Sequence, residues 1–219
     1  MFGAAVYFAL QRELRAVRDL DRALADISEI RSQLARGRGE QFRGYGAATL
    51  GATGAFAAIG ALVQAHWLAD AVQKPLAYVA LWSATAAISV AVIAVETVAR
   101  TRRAHAGMAQ EMLLNAVEQF LPAGIAGILL TAVLVRFAPE ALWMLPGLWQ
   151  VVFALGVFAS CRFLPRPMLL VGGWYLATAL ASLVLARGPQ ALSPWAMGAP
   201  FAVGQLTVAA ILQATSRKG

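Results

Sequence analysis

Charged residues and chemically reactive side chains are scarce in this sequence. Lys, Arg, Asp and Glu make up 13% of its 219 residues, whereas a soluble domain carries roughly 25%. The single cysteine, Cys161, excludes a disulfide within the chain and a metal site built from several cysteines. The sequence also lacks a phosphate-binding loop, an HExxH motif, a nucleophile elbow and a CxxC motif, which excludes the enzyme classes that those motifs define.

Apolar residues are abundant instead, and they are grouped in runs. Hydrophobic residues make up 60% of the chain, and the mean hydropathy is +0.66. Six apolar runs lie at 47–68, 75–95, 122–137, 142–161, 167–186 and 194–215. A helix needs about 20 such residues to cross a bilayer core of roughly 30 Å. We therefore predict an all-α fold, a polytopic membrane bundle of six transmembrane helices over residues 46–219 that follows an N-terminal segment, residues 1–45.

The middle of every predicted span lacks Asp, Glu, Lys, Arg and His. Ionisable groups within the membrane mark ion pathways, proton relays and voltage sensors. The nearest ones here, Glu96, Arg136 and Arg162, lie at the ends of spans. The sequence thus argues against proton-coupled pumps, voltage sensors and intramembrane metalloenzymes, and we predict neither a metal nor a cofactor.

Basic residues are divided unequally between the two sides of the predicted bundle. Of the 18 Lys and Arg residues, all except Lys74, Arg136 and Arg187 fall on the side of the chain termini. The positive-inside rule then predicts that both termini are cytoplasmic. Three tryptophans would mark the outer interface: Trp67, Trp143 and Trp195.

The isoelectric point near 10.5 raises the question of nucleic-acid binding. Because the basic residues flank apolar runs, as topology determinants do, we predict no nucleic-acid partner. The alanine-rich composition is typical of a bacterium with a GC-rich genome, which favours the bacterial inner membrane as the location.

Residues 11–36 have the pattern of an amphipathic helix on the cytoplasmic side. Apolar residues recur there every three or four positions: Leu10, Leu14, Val17, Leu20, Leu24, Ile27, Ile30 and Leu34. Charged residues occupy the opposite face: Arg15, Arg18, Asp19, Arg22, Asp26 and Glu29. One interpretation is a helix that lies on the bilayer or against the bundle. The other is a surface at residues 10–36 that binds a protein partner or a second copy of the chain.

A weak internal repeat predicts that the bundle consists of tandem helical hairpins. Residues 120–122 and 163–165 share the sequence Phe-Leu-Pro, and residues 139–143 resemble 189–195. The first two segments both lie at the inner end of an outward-going span, and the second two both lie at the outer turn before the returning span. Spans 3–4 and 5–6 would be the two copies, with spans 1–2 as a degenerate third.

The first span is rich in small residues at four-residue spacing. Two such rows occur, one of Ala47, Gly51 and Ala55 and one of Thr49, Thr53, Ala57 and Ala61. Small residues let helix backbones approach closely where lipid supplies no hydrophobic drive. We therefore expect span 1 to lie centrally in the bundle.

Three glutamines, Gln64, Gln150 and Gln205, are the deepest polar candidates for a site. Each amide can form an interhelical hydrogen bond worth about 0.6–2 kcal/mol. Alternatively, they line a small cavity behind helix starts that are broken by proline. Gln150 and Gln205 follow Pro146 and Pro200 closely, so the repeat would make them equivalent.

Two further groups of polar residues lie near the membrane surfaces. On the inner side, Glu96, His105, Glu111 and Glu118 would serve acid–base chemistry or a metal, or would form a solvated face with a Glu96–Arg100 ion pair. On the outer side, His66 and Asp70 are four residues apart. They would form an ion or proton site, or a local hydrogen bond.

The sequence is compatible with three functions. The first is a non-enzymatic membrane subunit or regulatory protein that docks a partner through its cytoplasmic N-terminal helix. The second is a small transporter or permeation subunit, which predicts a hydrated cavity between spans 1, 4 and 6. The third is an interfacial membrane enzyme that uses the Glu/His cluster. We favour the first, and we predict no catalytic residue.

Overall fold

A computed structural model describes residues 47–68, 70–103, 107–161, 164 and 166–217, together with Asp26 and Glu29. Within these ranges the chain is helical and contains no strand. The helices are α1 (Ala47–Trp67), α2 (Pro75–Arg103), α3 (Gly107–Phe137), α4 (Leu145–Ser160), α5 (Met168–Leu185) and α6 (Pro194–Arg217). A 3₁₀ segment, Pro139–Met144, precedes α4.

Six of the described helical segments are long and apolar enough to cross a membrane, as in a multi-pass membrane protein. Their spans are Ala47–Trp67, Pro75–Glu96, Val117–Phe137, Pro139–Ser160, Met168–Leu185 and Pro194–Thr215. Thus the prediction of an all-helical chain with six apolar membrane-length helices is confirmed.

The third predicted span is part of a longer helix than its apolar run implied. Pro122 lies inside α3, which continues through it from Gly107 to Phe137. Proline removes one backbone hydrogen bond, and membrane helices tolerate it because neighbouring groups and small adjustments satisfy the freed carbonyl. Pro122 therefore lies within the helix, which extends upstream of the predicted span.

The most extensive packing between helices joins α1 to α6. Glycine makes this approach possible, because a Cβ added to Gly54 would lie 3.2 Å from the carbonyl oxygen of Ala202. A Cβ on Gly198 would overlap the Cβ of Ala61. Of the two small-residue rows in α1, the one through Thr53, Ala57 and Ala61 is buried in the bundle.

A second close pair is formed by α4 and α5. A Cβ on Gly147 would meet the side chain of Leu183, and one on Gly172 would meet the ring of Phe158. Each helix of a predicted hairpin does contact its partner, but the α1–α6 and α4–α5 contacts between hairpins are more extensive. The origin of the bundle from tandem hairpins therefore stays a prediction.

Aromatic rings from four helices fill the interior. Phe153 of α4 lies 5.0 Å from Phe120, 4.6 Å from Tyr175 and 5.2 Å from Phe201, measured between ring centroids. These distances are typical of favourable edge-on and tilted ring pairs. The rings pack α3, α4, α5 and α6 together at one place.

The two ends of the bundle differ in their residues. Successive helices are joined by short connections, so α1, α3 and α5 all finish at one end, which we name the tryptophan end. The chain positions of Trp67, Trp143 and Trp195 lie there. At the other end, named the basic end, lie Arg103, Arg166 and Arg217.

Little of the predicted amphipathic N-terminal helix falls within the described residues. Its two described members, Asp26 and Glu29, are both helical and exposed. Both belong to the predicted charged face. The remaining residues of 1–45 lie outside the described part of the chain, so the surface at residues 10–36 stays a prediction.

The glycine contacts yield a test of the α1–α6 packing. Gly198→Ala is expected to lower the free energy of unfolding by about 1–3 kcal/mol, because the added methyl group overlaps Ala61 and forces the two helices apart. Unfolding of the purified chain by SDS in mixed micelles measures this change.

Gly173→Ala is the matched control. A Cβ at Gly173 meets nothing within 4 Å, and alanine gains up to about 1 kcal/mol over glycine within a helix. Equal stability of the two variants would contradict the close packing of α1 and α6.

Candidate functional site

A proline inside α6 leaves a backbone carbonyl without its usual partner. In an α-helix the carbonyl of Ala196 would accept a hydrogen bond from the residue four positions later, but that residue is Pro200, which has no N–H. Gln150, fully buried in α4, donates from Nε2 to the Ala196 oxygen at 2.8 Å. The same nitrogen lies 3.0 Å from the Pro146 oxygen. Gln150 thus replaces the missing helix bond and joins α4 to α6.

Gln64 holds the chain segment just before α6. Its Nε2 donates to the carbonyl of Leu192 at 2.6 Å, and the indole of Trp82 donates to its Oε1 at 2.8 Å. Leu192 has a φ of 57°, in the left-handed region that a residue with a branched side chain rarely adopts. Gln64 therefore fastens the α5–α6 connection to α1 and, through Trp82, to α2, whereas Gln150 fastens the first turn of α6 to α4.

We name Gln64, Gln150, Trp82 and the carbonyls of Leu192 and Ala196 the amide clamp. Both amides make interhelical hydrogen bonds, one of the two roles expected of them. One oxygen of the clamp could accept a further hydrogen bond: Gln150 Oε1 is buried and has no hydrogen-bond partner among the described residues.

Gln205 has different surroundings from Gln150. It lies half-buried in α6 beside the hydroxyl of Tyr175. Gln205 Oε1 and the Tyr175 hydroxyl are buried, and within the described ranges neither meets the geometry of a hydrogen bond. The phenol of Tyr175 instead presses on Gly204, where any Cβ would overlap it. Gln150 and Gln205 therefore have different surroundings, and their equivalence in a repeat stays a prediction.

A second polar link joins α3 and α4. The indole of Trp149 donates to Thr131 Oγ1 at 2.8 Å, and that hydroxyl donates to the Gly127 carbonyl at 2.7 Å. Trp149 and Trp82 were not among the residues predicted to donate hydrogen bonds. Their indole N–H groups were the signal, because a buried indole generally finds an acceptor.

A groove of about 400 Å³ separates α5 from α6 near the tryptophan end. Trp174, Thr178 and Ser182 line its α5 side, and Trp195 and Ala199 line its α6 side. The indole of Trp174 donates to the Pro200 carbonyl at 3.0 Å. The groove opens at the bundle's outer surface, not into the centre.

Only part of the inner Glu/His group lies among the described side chains. Glu96 is half-buried and has an interaction partner, whereas Glu118 is exposed. Glu111 belongs to α3, but its side chain and the whole of His105 lie outside the described part. No group of three His, Cys, Asp or Glu that could hold a metal occurs among the described residues.

The outer pair, His66 and Asp70, is exposed at the tryptophan end. The His66 ring packs edge-on to Trp67, with 5.6 Å between centroids. Asp70 begins the turn before α2, where its carbonyl accepts the backbone N–H of Gln73 at 3.0 Å. An ion or proton site at this pair stays a hypothesis.

Comparison of the chain with protein-family models, with curated proteins and with solved structures found no match. The class of protein is therefore defined by the bundle itself, a multi-pass chain of six apolar helices with an amide clamp at one end.

The clamp can be tested by a double-mutant cycle. Gln150→Leu is expected to cost about 0.6–2 kcal/mol of unfolding free energy, because the Ala196 carbonyl loses its donor. In a Pro200→Ala background the cost should be smaller, since residue 200 then supplies a backbone N–H to that carbonyl. Unfolding by SDS measures all four chains. Equal costs of Gln150→Leu in both backgrounds would show that Gln150 does not replace the missing bond.

Cys161 gives a test of the end of α4. We expected this residue inside the fourth span, and the structure places it in the turn that follows Ser160. Burial raises the pKa of the Cys161 thiol. Because the thiolate is the reactive form, maleimide should label the folded chain slowly at pH 7 and faster as the pH rises.

The same chain unfolded in SDS is the control for the labelling rate. Its thiol has an ordinary pKa, so it should react faster than the folded chain at neutral pH, and the difference should narrow at alkaline pH. Equal rates at pH 7 would contradict the burial of Cys161.

Proposed function

We propose that this protein is a non-enzymatic membrane subunit or regulator that binds a protein partner at its basic end. The N-terminal segment and the connection between α2 and α3 both belong to this end. In this proposal the basic end faces the cytoplasm of a bacterium and the bundle lies in the inner membrane, with both termini inside.

The observation that carries the proposal is the length of α2 and α3. The apolar run of α2 ends at Val95, yet the helix continues to Arg103, and α3 starts at Gly107, before its apolar run at 122–137. At 1.5 Å per residue these extensions are about 12 Å and 22 Å long. A pair of helices that continues beyond the apolar spans offers a partner a regular surface outside the lipid.

The N-terminal segment would add to this surface. Asp26 and Glu29 are helical and exposed, as a solvent-facing charged row on a docking helix requires. Eight arginines of residues 11–45 and those near Arg103 would give the basic end its charge, and this excess is the basis for the proposed orientation.

The packing of the interior favours a docking protein over a transporter. The transporter hypothesis requires a hydrated cavity between α1, α4 and α6, where Gly54 and Gly198 bring backbones together. The side-chain amides of Gln64 and Gln150 donate hydrogen bonds to backbone carbonyls. Phe153, Phe201 and Tyr175 fill the neighbouring space.

An enzyme remains the weaker alternative. It would need His105 and Glu111 to act together with Glu118, which is exposed on α3. Replacing Glu111 and Glu118 by Gln without any phenotype in cells would argue strongly against it.

Photo-cross-linking in native membranes tests the docking proposal. A cross-linking amino acid at Asp26 or Glu118 should capture the same protein, because both positions are exposed and the proposal assigns both to the basic end. Asp70 and Glu140 are the matched control positions, since both are exposed acidic residues at the tryptophan end. They should give no such product.

Deletion of residues 1–36 completes the experiment. The captured protein should no longer co-purify with the shortened chain, while circular dichroism and tryptophan fluorescence should show that the bundle is still folded. Unchanged co-purification, or equal cross-linking from the control positions, would overturn the proposal.

A further inference from the structure

The groove between α5 and α6 exists because each of these helices packs closely on a different neighbour. Gly198 of α6 lies against Ala61 of α1, and Gly147 of α4 accommodates Leu183 of α5. The packing of α5 on α6 is less extensive than that of either close pair. A space of about 400 Å³ therefore remains between α5 and α6. Ligand sites in proteins have volumes of roughly 300–1,000 Å³, so the groove has the size of a site for one small molecule.

The groove runs through the half of the membrane nearest the tryptophan end. Its lining on α5 extends from Trp174 to Leu185, the last residue of that span. Eleven helical steps of 1.5 Å give roughly 17 Å, and half of a hydrocarbon core is about 15 Å. Because the groove is open at the outer surface of the bundle, a ligand would enter it from the surrounding lipid. The ligand must therefore be a molecule that dissolves in the membrane.

Polar side chains line the groove at several depths. Thr178 and Ser182 lie within the span of α5, whereas Gln190 and Ser193 lie in the connection to α6. The Thr178 hydroxyl donates to the carbonyl of Trp174, at 2.9 Å. Within the described part of the chain, the side chains of Ser182, Gln190 and Ser193 make no hydrogen bond. These three side chains can donate hydrogen bonds, so they favour a ligand that carries acceptor atoms over an acyl chain, which carries none.

Two indole rings line the groove, Trp174 from α5 and Trp195 from α6. They are 38% and 58% exposed, so each has ring surface left for a ligand. Trp174 is held in place by donating from its Nε1 to the Pro200 carbonyl at 3.0 Å. The face of an indole is the most electron-rich aromatic surface among side chains, and aromatic packing is favourable where opposite charge distributions meet. The small side chains of Ala181 and Ala199 leave the room that a flat ring would need.

We propose that the α5–α6 groove binds the ring of a membrane quinone. A quinone ring is flat and poor in electrons, its carbonyl oxygens accept hydrogen bonds, and its isoprenoid tail keeps it dissolved in lipid. Ser182, Gln190 and Ser193 supply donors for the carbonyl oxygens. The indoles of Trp174 and Trp195 pack on the ring, and the tail leaves through the open side of the groove. The site is independent of the partner surface proposed at the basic end, because it lies at the other end of the bundle.

Titration of the purified full chain in detergent micelles with a short-tailed menaquinone tests the site, with quenching of tryptophan fluorescence as the readout. The unchanged chain should show saturable quenching by one quinone per chain, because the ring contacts two of the six tryptophans. Trp195→Leu should lower the affinity about threefold to tenfold, since one ring contact is lost. Trp67→Leu is the matched control and should keep the affinity, because Trp67 is an exposed tryptophan at the same end that does not line the groove.

Changes to the polar lining and to the free space form the second arm of the experiment. Ser182→Ala should lower the affinity about threefold to tenfold through the loss of one hydrogen bond, whereas Ser83→Ala, at an exposed position of α2, should not. Ala199→Phe fills the groove and should abolish saturable quenching. Ala210→Phe, at an exposed position of α6 outside the groove, should leave it unchanged. Circular dichroism of each variant checks that the bundle is folded.

Competition separates the ring from the tail. Menadione, which has the ring without the tail, should also quench saturably and should be weakened by Ser182→Ala. Geranylgeraniol, an isoprenoid chain without the ring, and phosphatidylglycerol should leave the quenching by the menaquinone unchanged.

Three results would overturn the proposal. The first is quenching that does not saturate in the unchanged chain. The second is equal affinity of the groove variants and their controls. The third is reversal of the quenching by geranylgeraniol or phosphatidylglycerol, which would indicate a groove for a flexible chain and not for a ring.

Discussion

The close approach of α1 and α6 is the contact on which the rest of the bundle depends. Lipid tails are as apolar as the side chains of the bundle, so helices associate in the membrane through van der Waals contact and hydrogen bonds. Gly54, Ala61 and Gly198 provide the contact by bringing the two backbones together. This pairing brings the first and last spans together, and it leaves α5 to pack on α4.

Backbone hydrogen bonding imposes the second requirement. A carbonyl without a donor is costly in lipid, and Pro200 creates one at Ala196 in a helix that α1 holds in place. Gln150 supplies the donor from α4, and Gln64 similarly supplies one to Leu192. The clamp therefore joins the α1–α6 pair to the α4–α5 pair. The glycine contacts act only within each pair and do not connect one pair to the other.

The sequence was sufficient for the spans because their length and apolarity are properties of single segments. It was less informative about helix bounds, since Pro122 begins an apolar run but lies inside α3, which starts at Gly107. Gln64 and Gln150 were found because buried amides in apolar segments need partners. Their partners were not found, because Leu192 lies 128 positions from Gln64 and only the fold brings them together. The free carbonyl at Ala196 was predictable, since any proline within a helix leaves one four residues before it.

The small residues of α1 show the same limit. Two rows had the spacing that permits close packing, but Ala55 of the first row is exposed, whereas Ala57 and Ala61 of the second are buried. Which row is used depends on where α6 lies, and that depends on all six helices.

The extensions of α2 and α3 have a mechanical consequence. Only 11% and 6% of the residues in these two spans are buried, against 28–39% in the other four. The helices that project beyond the spans are thus the ones least anchored in the bundle. A load applied at their projecting tips would therefore tilt these two helices more readily than the other four, and the Trp149–Thr131 hydrogen bond between α4 and α3 would resist the tilt of α3.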